Sequence, residues 1–107
     1  MAAMNLNHEE FNRFQNEGKL MLVDYWAPWC GYCRRIGPAY DKVAQQYSKD
    51  MVVAKVNIDE EALLADSQQI EVIPTLIIYK DGQALGSIVA PESKARIEQF
   101  IQETLGI

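Results

Sequence analysis

Apolar and polar positions along the chain switch repeatedly between helical and strand periodicity, the pattern of an α/β domain. Residues 20–26, Leu-Met-Leu-Val-Asp-Tyr-Trp, are almost wholly apolar, which predicts a central strand covered on both faces. Ala27-Pro28-Trp29 breaks it. Over 30–47, Ile36, Tyr40, Val43 and Tyr47 recur at helical spacing, and Pro38 removes one backbone donor inside that helix, which predicts a kink. Residues 51–58 read as a second buried strand. Asp59 is expected to cap a third helix, with Glu60 and Glu61 in its first turn, where the dipole favours anions. Pro74 precedes a strand over 75–79, Asp81-Gly82 is a hairpin turn, and 85–89 returns antiparallel. A last helix over 92–105 turns Ile97, Phe100, Ile101 and Leu105 inward. At the start, Asn7 and Glu10 form a capping box for a helix over 8–17 that carries Phe11 and Phe14 on one face and stops at Gly18. Residues 2–6 are a candidate short strand. No repeat, linker or low-complexity stretch interrupts this order, so residues 1–107 are expected to form one domain.

Composition narrows the function classes. Of 107 residues, 49% are hydrophobic and 23% charged, which excludes a disordered chain. Ten basic residues against fifteen acidic ones leave a charge of -5, which argues against a nucleic-acid partner. No run approaches the roughly 18 apolar residues of a membrane span, so no membrane partner is expected. The first ten residues carry neither a basic n-region nor a long apolar stretch; Met4 is an alternative start, which leaves a removed signal open, and as written the chain reads as cytoplasmic.

The two cysteines, Cys30 and Cys33, are spaced C-x-x-C where a strand end becomes a helix start. A bridge between them closes a tiny loop and removes little entropy from the unfolded chain, so its value as a staple is small. Free amides and positive partial charge at a helix N-terminus stabilise a thiolate. Cys30, at the open end, is expected to attack; Cys33, a turn further in, to close the disulfide. A zinc site wants four ligands, and His8 is the one further soft ligand, far off in sequence. His8 itself reads as a surface residue at a helix start.

Asp24 is a carboxylate in an apolar strand, costly to bury ionised. It is placed to sit behind the dithiol as a proton acceptor for Cys33; the alternatives are a wetter strand position or a pair with Lys55. Lys55, alone in its own strand, either modulates Asp24 or reaches to water. Pro74 opens a strand, where proline is allowed, and the residues alone do not choose between cis and trans. Of Trp26 and Trp29, one is expected in the core and one exposed beside the thiol. Arg34 and Arg35 lower the thiol pKa, read an acidic partner, or simply line a solvated helix face. Tyr25 and Tyr79 read as core or surface filler.

Several of these motifs together resemble the thioredoxin family over about residues 6–105. They are the strand and lead-in Leu22-Val23-Asp24-Tyr25-Trp26-Ala27-Pro28-Trp29-Cys30, the pair in Cys30-Gly31-Tyr32-Cys33, Pro38, the stretch Ala54-Lys55-Val56-Asn57-Ile58-Asp59, Ile73-Pro74-Thr75, and Lys80-Asp81-Gly82. The resemblance implies a central mixed sheet of four or five strands flanked by about four helices. It implies a cis Pro74 facing the dithiol, a catalytic set of Cys30, Cys33, Asp24 and Lys55, and a substrate groove formed by Trp29, Gly31, Tyr32, Ile73, Pro74 and Val89. It also implies a monomer that exchanges disulfides with protein substrates, needs no bound cofactor, and is recharged by an NADPH-linked thioredoxin reductase. Tyr32 departs from the family's usual proline, Arg35 from an apolar residue, and Ala90 from a glycine. The Gly-Tyr dipeptide is similar to that of periplasmic disulfide isomerases, which keeps a more oxidising oxidase or isomerase open as a rival. A glutaredoxin and a non-catalytic interaction subunit are the others.

Overall fold

The computed structural model describes residues 3–107. Its elements run β1 (Met4–Asn5), α1 (His8–Asn16), β2 (Met21–Trp26), α2 (Gly31–Tyr47), β3 (Val52–Asn57), α3 (Ala62–Ser67), β4 (Thr75–Lys80), β5 (Gln83–Val89) and α4 (Lys94–Leu105). The five strands form one mixed sheet in the order β1-β3-β2-β4-β5. β3 is parallel to both β1 and β2, whereas β4 is antiparallel to β2 and β5. Four helices flank the sheet, the fold class the sequence predicts.

β2 lies at the centre, as its run of apolar residues, interrupted only by Asp24, predicts. Its alternate side chains feed two cores. Met21, Val23 and Tyr25 join Phe11, Leu64, Ile77 and Tyr79 under α1 and α3. Leu22 joins Ile36, Tyr40, Val43, Ile97 and Ile101 under α2 and α4. Strand periodicity puts Asp24 on the same face as Leu22, beneath α2. The filler tyrosines lie in the first core, and their hydroxyls are satisfied: Tyr25 and Tyr79 bond at 2.7 Å, and Tyr79 donates to Gln68 Oε1 at 2.9 Å.

Local chemistry sets the element ends. Asn7 and Glu10 form the capping box of α1, and Gly18 follows its last turn at φ +69°, where a Cβ would meet Asp81 Oδ1 at 3.3 Å. α2 runs unbroken through Pro38. The expected strand over 2–6 is Met4–Asn5, and Ala2 lies outside the described residues. The expected cap of α3 is corrected. The helix starts at Ala62, its N-cap is Glu61, and no side chain caps it. Asn57 is the reason: its Oδ1 accepts the amides of Asp59 and Glu60 and its carbonyl accepts that of Glu61, so this segment is a turn. α4 starts at Lys94, later than the expected 92, because Ser93 caps it by accepting the Arg96 amide. No helix among the described residues is long and apolar enough to cross a membrane.

Candidate active site

The Ala27-Pro28-Trp29 turn joins the carboxyl end of β2 to the first turn of α2 and so delivers both cysteines to one edge of the sheet. The Cys30 amide donates to the Ala27 carbonyl at 3.1 Å. Cys30 is the N-cap of the 17-residue helix α2, and its Sγ accepts the Cys33 amide at 3.2 Å. The two are joined in a disulfide with a Cα–Cα distance of 5.2 Å, inside the usual range. No acidic residue occupies the first turn of α2, so nothing there offsets the positive end of the helix dipole. Cys30 is half-buried, whereas Cys33 is only 4% exposed.

Behind Cys33 lies a cavity of about 250 Å³, whose walls include Asp24, Trp26, Tyr40, Asp41 and Lys55. Asp24 is 2% exposed, and its Oδ1 has no hydrogen-bond partner. Burial pushes its carboxyl up to about 7; the Lys55 charge opposes that rise and the Asp41 charge adds to it. Trp26 Nε1, also buried and unpartnered, belongs to a residue of the same cavity. Lys55 stands directly opposite Asp24 in the β2–β3 register. Its ammonium lies 4.3 Å from the Trp26 ring centroid, and among the described residues no ion pair joins it to Asp24. The Tyr40 hydroxyl donates to the carbonyls of Leu22 (3.1 Å) and Ala54 (2.6 Å) and so ties α2 to β2 and β3 beside Asp24. Burial raises the Tyr40 hydroxyl well above its ordinary pKa.

In front of the dithiol, Trp29 is 65% exposed, and its indole N–H donates to both Asp59 carboxylate oxygens at 2.9 and 3.2 Å. Trp26 is the more buried of the two tryptophans. The Ile73-Pro74 bond is cis. Thr75 pairs with both Tyr25 and Val89, and the Ala90 amide donates to the Pro74 carbonyl at 2.9 Å. Pro74, Val89 and Ala90 therefore share the sheet edge at which β2 ends. Gly31 has open space where a Cβ would stand, and Val72 and Val89 are about half exposed. The Tyr32 hydroxyl donates to the Pro91 carbonyl at 2.9 Å. Arg34 donates to the Pro28 carbonyl at 2.8 Å, and Arg35 is exposed to solvent. His8 sits at the start of α1, exposed, and its amide bonds Glu61. No cluster of three or more His, Cys, Asp or Glu that would hold a metal occurs among the described residues.

Sequence reasoning missed Asp59 as the partner of Trp29, Tyr40 and Asp41 as neighbours of Asp24, and the reach of Tyr32 to Pro91. Only Asp59 carried a usable signal: it follows the carboxyl end of a strand parallel to β2, so it emerges at the same edge as Trp29. The groove expected from Trp29, Gly31, Tyr32, Ile73, Pro74 and Val89 draws on three segments that end at this edge.

The sequence model of the Thioredoxin family matches residues 2–103. A thioredoxin from Coprinus comatus is 37% identical over 100 residues, covering 92% of this chain and 93% of that protein. Thioredoxin 1 of Synechococcus elongatus is 45% identical over 85 residues, 79% of each chain. Among solved structures, Plasmodium falciparum thioredoxin superposes with a TM-score of 0.85 at 30% identity, covering 94% of this chain and 98% of that one. A mutant thioredoxin from Halobacterium salinarum superposes with a TM-score of 0.83 at 25% identity, covering 96% and 90%.

Proposed function

Since the chain belongs to the thioredoxin family and carries a Cys30–Cys33 disulfide, it is a thiol–disulfide oxidoreductase, and we propose that it acts as a protein-disulfide reductase. The observation that carries this reading is the asymmetry of the pair. Cys30 caps a helix and is the more exposed residue, while Cys33 is buried against the cavity that holds Asp24. In the reduced protein the Cys30 thiolate attacks one sulfur of a substrate disulfide. That bond breaks, the leaving sulfur departs as a thiolate and takes a proton, and a mixed disulfide remains on Cys30. Cys33 then loses its proton to Asp24 and attacks Cys30 Sγ, expelling the second substrate sulfur. Two electrons have passed to the substrate, and the Cys30–Cys33 disulfide is restored.

Asp24 suits this role because its proton affinity near neutrality lets it accept a proton from Cys33 and return it to water through the cavity. Lys55 opposes the rise in that affinity and acts through Asp24. The substrate segment would lie across Trp29, Gly31, Ile73, Pro74 and Val89. Thioredoxins act on disulfide-containing proteins and are reduced by thioredoxin reductase, so the proposed donor is an NADPH-linked reductase and the proposed compartment the cytoplasm. The protein is proposed to work as a monomer without a bound cofactor.

One observation favours a more oxidising variant of the same reading. Tyr32, unlike proline, supplies an amide in the first turn of α2, close to Cys30. The test is insulin reduction by the wild type and Cys30→Ser, driven by NADPH with thioredoxin reductase or by glutathione with its reductase. The reading expects turnover by the wild type with the first couple and none by Cys30→Ser. Equal rates for the two proteins would overturn it.

A further inference from the structure

Tyr32 is the second residue of α2, between the two cysteines, yet its side chain does not stay with its own helix. Its hydroxyl donates at 2.9 Å to the carbonyl of Pro91, 59 residues further on in the connection between β5 and α4. Pro91 is buried and, as a proline, has no amide to offer. Just before it, Ala90 sits at φ +46°, a region that residues other than glycine enter only when the surroundings hold them there. Two contacts on either side do the holding. The Ala90 amide donates to the Pro74 carbonyl at 2.9 Å, and the Tyr32 hydroxyl takes the carbonyl of the next residue. Val89, 54% exposed, precedes them and pairs with Thr75. A chain of bonds thus runs from the dithiol helix through Tyr32, Pro91 and Ala90 to Pro74, linking the three segments whose ends frame the expected groove.

We propose that the Tyr32 hydroxyl is a positioning group that clamps the Val89–Pro91 wall to the dithiol helix and so sets the slot that receives an extended protein substrate. The inference rests on the reductase reading for its substrate, but the clamp itself is a property of the resting protein. Tyr32 does not touch the transferring electrons or protons. It acts through where it holds Val89 and Ala90. A small disulfide, with no flanking chain to seat, depends little on that wall, whereas a protein segment lying along it depends on its distance from Cys30. Tyr32 and Ala90 are on this account a matched pair: the tyrosine supplies a restraint that a non-glycine residue at positive φ needs.

The test is Tyr32→Phe, which deletes one oxygen and keeps the ring and the backbone amide. Kinetics with thioredoxin reductase and NADPH are measured on insulin and on hydroxyethyl disulfide, alongside hydrogen exchange at the Ala90 amide and the reduction potential. The clamp predicts a KM for insulin raised by about three- to tenfold, the effect of one lost neutral hydrogen bond, with the loss in KM and not in kcat. Selectivity for insulin over hydroxyethyl disulfide falls by the same factor, Ala90 exchanges faster, and the potential does not move. An unchanged KM, a loss confined to kcat, or a displaced potential would overturn the positioning role, and unchanged exchange at Ala90 would overturn the clamp. Exchange on the oxidised protein needs no turnover, so it decides on the clamp independently. A wild type that reduces neither disulfide would overturn the reductase reading instead.

Discussion

Replacing Asp24 with asparagine removes a buried titrating group with little change of shape, and its effect on stability can be worked out in advance. The folded carboxyl titrates at about 7 against an ordinary value of 3.8. Between those values the folded state holds a proton that the unfolded chain has already lost. The stability this supplies is fully present below the ordinary value and disappears as the pH rises through about 7. Each pH unit between the two is worth about 1.4 kcal/mol, so the whole span amounts to about 4 kcal/mol. Between pH 5.5 and pH 8 the share lost is about 2 kcal/mol, a sizeable part of the roughly 5–15 kcal/mol that holds a domain together. The assay is urea unfolding of the oxidised wild type and Asp24→Asn across that range, with the thiols locked in the disulfide so that they do not titrate. The wild-type midpoint should fall relative to the variant by about 1 M as the pH rises. At pH 8 the variant should be the more stable, because it buries no charge. Parallel curves for the two proteins, or a variant less stable at pH 8, would show that the Asp24 charge is solvated or paired in the fold and would refute the reasoning.

Three further outcomes follow from the same geometry. In the reduced protein, Cys30 should be alkylated by iodoacetamide at pH values well below the free-thiol pKa of roughly 8.5, and Cys33 far more slowly; equal rates, read by peptide mass spectrometry, would contradict the division of roles. Asp24→Asn should slow release of the mixed disulfide at neutral pH and abolish the rise of that rate with pH through about 7, whereas unchanged single-turnover release would mean that water takes the Cys33 proton. Tyr32→Pro should lower the reduction potential, because it removes one free amide from the first turn of α2, the positive end of the helix that Cys30 caps, and so destabilises the reduced form; the wild type should sit above the value of about -270 mV usual for thioredoxin, and a redox titration that finds neither effect would dispose of this argument.

The features legible in the amino-acid sequence are those that local chemistry decides. The nearly continuous apolar run of β2, the Asn7–Glu10 capping box and the Asp81-Gly82 turn each depend on neighbours in sequence, and each is found where expected. The cysteine pair at a strand–helix junction is legible for the same reason. What escapes depends on which distant segments the register brings together. Asp59 reads as a helix cap because a carboxylate before a helix often is one, but Asn57 takes the turn's amides and leaves Asp59 for the indole of Trp29, 30 residues earlier. Lys55 is legible as a neighbour of Asp24 across two parallel strands, yet its ammonium rests on the ring of Trp26, a choice made by side-chain packing that pairing alone does not dictate. Tyr40 lies on an apolar helix face, and only the approach of the Leu22 and Ala54 carbonyls gives its hydroxyl a purpose.

The central claim is that one sulfur attacks and the other resolves, and trapping tests it most directly. Reduced Cys33→Ser is mixed with a disulfide-containing protein, quenched with acid and examined by non-reducing mass spectrometry, with Cys30→Ser treated in parallel. The account predicts that Cys33→Ser accumulates a one-to-one adduct joined through Cys30, and that Cys30→Ser accumulates none. An adduct on Cys33, or equal trapping by both variants, would contradict it.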